Sequence, residues 1–451
     1  MIKIAYKNLG CKVNSYELNK VRDELSTFGF VEVDFDSYAD IYVINTCSVT
    51  HIADRKSRQM IYRSVYNNPN AIIIAMGCSI DNIDNSSIKQ DDNIIYIKNE
   101  EKNKVKDILK SYLDSHNIVY NIDKDKNKAS IKTDTVDKER QVRAFIKIED
   151  GCNQFCSYCI IPYLRGRVRS IPKKDIVKDI ENRAKNGIAE VVLTGINLSS
   201  YGLDFHGLNY EEKDAKDVAV KELISLINDI YSIDGIKRIR LGSIEPRLIN
   251  DYFLDFLAKI KDKFCDEFHL SLQSGCDKIL ELMNRHYKTS EYYDTCVKIR
   301  NVFNNASITT DIIVGFPNET EDDFIETINF CKKIRFYNPH IFKYSKREGT
   351  KAYDMSNQVP EDIKNLRSEK LISITKEISN EIRESYIDKE VDILIESIDR
   401  DSDRLILNGF TKEYIDTKVL VDKVSEEPKL LGKIITVKVK SHENGFLCAN
   451  M

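Results

Sequence analysis

Three features of the sequence predict an α/β protein with a parallel-sheet N-terminal domain, a partial (β/α)6 barrel and a small all-β C-terminal module. Apolar runs alternate with helical stretches from Ile2 to Met76, the alternation resumes at Val142 and runs to Tyr344, and short β runs take over beyond Glu384. Strands alternating with helices imply parallel sheets, whose ligand-bearing loops lie at the carboxyl ends of the strands. A chain of 451 residues suits about three domains. The expected boundaries are 1–120 for the first domain, 121–140 for a linker, 141–375 for the barrel and 380–451 for the β module.

In the first domain one plan repeats. Ile2 to Leu9 is an apolar strand ending at Gly10-Cys11, followed by a helix from Ser15 to Phe28. Asp40 to Asn45 ends at Thr46-Cys47 and precedes a helix from Asp54 to Tyr66, and Ala71 to Met76 ends at Gly77-Cys78. Cys11, Cys47 and Cys78 are each about one βαβ unit apart, so the fold gathers them on one sheet edge. Three thiols so placed suit an iron-sulfur cluster with three ligands; the competing reading is that small residues simply favour strand ends. A charged helix from Asn99 to Asn117 closes the domain. Asn121 to Gln141 is polar, rich in lysine and aspartate, and reads as a linker or surface excursion.

The barrel opens with the most informative stretch. After the strand Val142-Ile148 come Cys152, Cys156 and Cys159 at the spacing Cys-x3-Cys-x2-Cys. Each thiolate can ligate one iron of a [4Fe-4S] cube, leaving the fourth iron without a protein ligand and open to chemistry. Zinc sites usually show paired ligands at other spacings. The spacing resembles the radical-SAM signature, which implies that S-adenosylmethionine occupies the open iron. Further strands are expected at Glu190-Leu193, Arg238-Leu241, Glu267-Leu272, Ser307-Val314 and His340-Tyr344. In a barrel the loops after such strands carry function. They supply Thr194, Gly195, Asn197, Ser243, Glu245, Gln273 and Asp311 as candidate cofactor-binding residues, with Tyr158 beside the cysteines. Phe155 and Tyr158 flank the thiols and are candidates for shielding a radical from water. None of the seven histidines is paired by sequence with a nucleophile or metal, and Cys265, Cys296 and Cys331, in stretches read as helical, are expected to be packed thiols.

The helix Glu361 to Glu384 leads to β runs at Val391-Ile398, Arg404-Leu407, Lys418-Val421 and Ile434-Val439, a pattern suited to a five-stranded barrel. From Tyr386 onwards thirteen acidic residues face ten basic ones, so charge does not decide between RNA binding and a structural role. Over the whole chain the net charge is -4, and any nucleic-acid site must be a local patch. The amino terminus reads as a strand without signal-peptide features, and apolar runs are far too short to span a bilayer. A cytoplasmic protein with no membrane association is expected, in which the eleven cysteines do not form disulfides.

Taken together, Gly10-Cys11-Lys12-Val13-Asn14 with Tyr16-Glu17, Asn45-Thr46-Cys47, Ala53 to Gln59 and Asp150 to Arg169 resemble the methylthiotransferases, over nearly the whole length. The branch most resembled methylthiolates N6-threonylcarbamoyladenosine in tRNA, next to the anticodon. Sibling branches act on isopentenyladenosine in tRNA or on a ribosomal-protein aspartate. The resemblance implies a SAM-cleaving cluster on Cys152, Cys156 and Cys159, an auxiliary [4Fe-4S] cluster carrying sulfur on Cys11, Cys47 and Cys78, and a C-terminal TRAM module. It implies two SAM molecules per product: one methylates the sulfur, and the other yields the radical that takes hydrogen from adenine C2. Ser79-Ile80-Asp81 and Lys343 depart from the family pattern, at loops rather than ligands. A rival of another class is a non-catalytic iron-sulfur or zinc protein that binds RNA. Arg165, Arg167 and Arg169 alternate after the cysteine loop, so in an extended run they share a face, and Arg55, Lys56 and Arg58 follow Cys47. Both groups are expected to grip tRNA phosphates; the alternative is pairing with carboxylates at an interface. A monomer is expected, with the electron donor and sulfur source unidentified.

Overall fold

The computed structural model describes residues 1–81, 92–120, 142–401, 404–422 and 430–451. The expected linker 121–140 lies outside the described residues. The chain forms two compact units, Met1–Lys138 with Cys159–Arg167, and Glu139–Tyr158 with Val168–Met451.

In the first unit the elements are β1 (Lys3–Asn8), α1 (Lys12–Leu25), β2 (Val31–Glu32), β3 (Ile41–Thr46), α2 (His51–Asn67), β4 (Ile72–Gly77), α3 (Cys78–Asp81), β5 (Ile94–Ile97) and α4 (Val105–Ser115). The strands make a parallel sheet in the order β2-β1-β3-β4-β5. β3 and β4 are central and buried along their whole length, as the apolar runs 41–44 and 72–76 require. Alternation sorts their side chains: Val43 and Ile74 pack with Leu18, Val21 and Leu109 on one face, while Ile44 and Ile73 pack with Ile61 on the other. The three expected strands are present to within a residue or two. The edge strands β2 and β5 were not expected, because pieces of two and four residues carry no measurable period. The last helix begins as a 3-10 segment over Asn99–Lys104. Into this unit also comes α5 (Ile161–Leu164), just beyond the cysteine loop.

The second unit contains β6 (Arg143–Lys147), β7 (Glu149–Asp150), β8 (Arg169–Ser170), α6 (Lys173–Lys185), β9 (Glu190–Thr194), α7 (Ala215–Tyr231), β10 (Arg238–Leu241), β11 (Ser243–Ile244), α8 (Asp251–Lys259) and β12 (Glu267–Leu270). It continues with α9 (Asp277–Leu282), α10 (Thr289–Val302), β13 (Ser307–Thr309), β14 (Asp311–Val314), α11 (Glu321–Ile334), β15 (His340–Lys343) and α12 (Glu361–Glu384). Parallel pairing joins β6-β9-β10, β11-β12-β13 and β14-β15 in chain order, the arrangement of a partial barrel. The strand expected over Ser307-Val314 is interrupted at Thr310, whose hydroxyl donates to Leu270 O at 2.6 Å and accepts from Leu272 N at 2.9 Å. Cys296 and Cys331 are buried on helices, whereas Cys265 enters β12 through a backbone bond to Ile239 O rather than lying in a helix.

The chain ends in β16 (Glu390–Asp401), β17 (Arg404–Phe410), β18 (Asp416–Asp422), β19 (Ile434–Glu443) and β20 (Phe446–Asn450), which close into a five-stranded barrel in the order β16-β17-β18-β20-β19. Of these, β20 was not placed from sequence. Buried arginines fasten this module to the base of the larger barrel. Arg238 donates to Phe410 O at 2.7 Å and Asp392 O at 2.8 Å. Arg240 binds Glu190 at 2.9 Å, donates to Lys412 O at 3.0 Å and lies over the Tyr414 ring. Burial alone would push the Glu190 carboxyl up, but Arg240 and Arg143 outweigh it and hold the group below its ordinary value. Among the described residues no helix is long and apolar enough to cross a membrane.

Candidate active site

Residues 152–158 of the cysteine loop are held by side chains and backbone of their own unit. Ser157 N donates to Met283 O at 3.0 Å and its hydroxyl to Leu282 O at 2.7 Å, both at the end of α9. Asn284 then turns the chain with φ +58, a conformation asparagine tolerates past a helix end, and its amide donates to Gln154 O and Phe155 O. Arg285 follows, half-buried, and donates to Cys156 Sγ at 3.2 Å and to the Tyr287 hydroxyl at 3.1 Å. Gln154 N donates to Cys152 Sγ at 3.5 Å. A guanidinium and a backbone N–H thus face two of the three sulfurs.

Of the expected cofactor residues, Glu245 meets this loop directly. Glu245 is buried, accepts from Gln154 Nε2 at 3.1 Å and also accepts from Arg247 Nε. Ser243 Oγ lies 2.8 Å from Ser271 Oγ. Gln273 takes φ +75, rare for a residue with a side chain, while its backbone bonds Asp311 O and Ile313 N. Thr194 is buried, Tyr158 packs beside Phe316 and Tyr344, and Asn197 donates its amide to Ser200 Oγ at 3.0 Å. Gly195 is required: a Cβ there would collide with the Glu149 carboxylate. Asp311 is engaged by His340 Nδ1 at 3.0 Å and His269 Nε2 at 3.4 Å, which offset the burial penalty and hold its carboxyl far below the ordinary range. The sequence assigned no role to these histidines, to Arg285 or to Glu149.

Glu149 is fully buried, and desolvation pushes its carboxyl up to about 8 against the N–H of Asn197, which donates to Oε1 at 2.5 Å. Its Oε2 is buried with no hydrogen-bond partner among the described residues. An unpartnered carboxyl oxygen at the strand ends leaves one hydrogen bond there still to be made.

The first unit gathers the other three thiols. Gly10 (φ +128) packs so tightly that a Cβ would lie 2.9 Å from that of Cys47, and Gly77 (φ +112) crosses equally close to Thr46. Cys11 caps α1, Cys47 follows β3, and Cys78 follows β4. Burial first, and then proximity to the Cys78 and Cys11 thiols, raises Cys47 to about 11. Iron would displace that proton on binding. No group of three or more His, Cys, Asp or Glu among the described residues closes on a single metal ion, whereas a four-iron cube takes its sulfurs one per iron and spreads them over its corners. Each trio fits such a cube by its donor set: none of the six cysteines is in a disulfide, and each trio has an arginine donating to a sulfur.

The second arginine is Arg165, which does not share the expected face with Arg167 and Arg169. Arg165 is 3% exposed, because α5 and the left-handed Gly166 (φ +77) break the expected extended run and turn the side chain inwards. It binds Glu17 at 2.9 Å instead of facing solvent. Arg167 and Arg169 are exposed, as are Arg55, Lys56 and Arg58 on α2.

Comparison with known proteins agrees with this geometry. Residues 146–331 match the Radical SAM superfamily model, and residues 3–97 match the uncharacterized protein family UPF0004. Threonylcarbamoyladenosine tRNA methylthiotransferase MtaB of Bacillus subtilis (strain 168) is 34% identical, covering 97% of this chain and 94% of that protein. Its counterpart from Aquifex aeolicus (strain VF5) is 36% identical over 97% of this chain and 100% of that protein. The tRNA-2-methylthio-N(6)-dimethylallyladenosine synthase of Clostridium tetani (strain Massachusetts / E88) is 35% identical over 95% and 92%. In fold, the radical S-adenosylmethionine methyltransferase TsrM of Kitasatospora setae superposes with a TM-score of 0.52 at 13% identity, covering 78% of this chain and 77% of that one. By its near full-length identity to these relatives, the chain belongs to the radical-SAM tRNA methylthiotransferase family.

Proposed function

We propose that this protein inserts a methylthio group at C2 of N6-threonylcarbamoyladenosine in tRNA, next to the anticodon. The reading is carried by the identity to both MtaB proteins over 97% of the chain. When bound, two [4Fe-4S] clusters and SAM supply radical formation and the sulfur, chemistry needed because adenine C2 offers neither an acidic proton nor a leaving group. Cys152, Cys156 and Cys159 hold one cluster and Cys11, Cys47 and Cys78 the other. Glu149, Glu245, Gln273 and the glycine at 195 shape the pocket for SAM, and Tyr158 helps to exclude water. The domains fall at 1–120, 141–375 and 380–451, the last as a TRAM module, in a cytoplasmic monomer.

The dimethylallyladenosine branch is a second reading, favoured by the 35% identity of the Clostridium tetani protein. The test is to incubate anaerobically reconstituted protein, SAM and reductant with two tRNAs, one bearing threonylcarbamoyladenosine and one dimethylallyladenosine, and to read the nucleosides by mass spectrometry. Methylthiolation of the first alone is expected, and of the second alone would transfer the chain to the other branch.

For tRNA binding the exposed cations Arg55, Lys56, Arg58, Arg167 and Arg169 are the proposed phosphate contacts. Replacing one of them, Arg55→Gln for example, should lower the salt slope of log K for tRNA by about one and leave SAM cleavage without tRNA intact. Unchanged slopes in all five variants would remove these residues from the interface.

A further inference from the structure

We infer that Arg165 tunes the N-terminal iron-sulfur cluster, as a positioning residue acting through Cys78 rather than as a contact to tRNA. The inference rests on the reading that Cys11, Cys47 and Cys78 hold a cluster. Arg165 Nε donates to Cys78 Sγ at 3.3 Å, Nη2 donates to Asn14 Oδ1 at 2.8 Å, and Nη1 pairs with Glu17 Oε1 at 2.9 Å. Asn14 in turn clamps the strand ends that bear the other two thiols: its amide donates to Leu9 O at 3.0 Å and Thr46 O at 2.9 Å, and its Oδ1 faces Cys11 Sγ at 3.8 Å. One guanidinium therefore touches the sulfur of one ligand and the residue that orders the other two. Glu17 is shared with Lys102 at 2.5 Å, so a buried row of two cations around one carboxylate ends on a cluster sulfur. Asn99 adds a second donor to Cys78 at 3.6 Å, and Asp54 and Asp81 supply the acidic groups nearby.

Reduction adds negative charge to a cluster, and hydrogen bonds and charge at its sulfurs are levers on its potential. Enclosed at 3% exposure, Arg165 is screened little by solvent. It stabilises the reduced state, and Glu17 opposes it. Arginine suits the place because its fork reaches sulfur, amide and carboxylate at once, which lysine cannot do.

The test uses the full chain with Cys152, Cys156 and Cys159 changed to alanine, so that only the N-terminal trio takes iron, and measures the midpoint potential by a reductive titration followed by electron paramagnetic resonance. Arg165→Gln should shift the potential to more negative values and Glu17→Gln to more positive ones. Opposite shifts are the signature of charge, since a purely structural role would move neither or both alike, and either of those results overturns the inference. If the parent triple variant takes up no iron, the cluster reading fails and the inference with it. If Arg165→Gln alone loses iron, Lys102→Met removes a charge of the same row without touching sulfur and should also shift the potential negative; no shift there overturns the inference.

Discussion

Replacing Cys152, Cys156 and Cys159 together with alanine is expected to remove about half of the bound iron and all formation of 5'-deoxyadenosine. The loop keeps its place in this variant, because Ser157, Asn284 and the backbone of Met283 hold it independently of the thiols. What disappears is the donor set that Arg285 faces. Iron analysis and chromatography of the SAM products check the two halves separately. Zinc in place of iron, in protein purified without oxygen, would defeat the assignment outright.

Removing Cys11, Cys47 and Cys78 is expected to have the complementary effect: 5'-deoxyadenosine still forms, while methylthiolated tRNA falls below detection. Glu245, Asn284 and Arg285, which hold residues 152–158 of the cysteine loop, all belong to the second unit. Loss of SAM cleavage in this variant would show that the two thiol sets do not work separately. Iron should again fall by about half, so a variant that loses nearly all iron reports misfolding rather than chemistry.

Much of this was legible in the sequence because two periodicities are robust. Alternating apolar runs fixed the central strands β3 and β4, and each carried a cysteine at its end, so a three-dimensional neighbourhood could be read from one-dimensional spacing. The Cys-x3-Cys-x2-Cys loop needed no fold at all. Arg165 was misread because face-sharing was argued from extended geometry, and one glycine at positive φ together with a four-residue helix sufficed to reverse the side chain. Arg285 and Glu149 were not legible for a different reason: a lone arginine or glutamate has no spacing to betray it, and each acquires meaning only from what the fold packs around it. β20, five residues long, was lost in the same way as β2 and β5.

The joint between the two barrels has a consequence for how such a chain can vary. Arg238 and Arg240 donate chiefly to main-chain oxygens of the β module, those of Phe410, Asp392, Lys412 and Thr411, rather than to its side chains. Every residue carries a carbonyl whatever its side chain. The attachment is thus written largely in backbone shape, with Arg143 adding side-chain contacts to Glu396 and Tyr414, so that residues of the module away from these contacts can change without loosening it from the barrel that it caps.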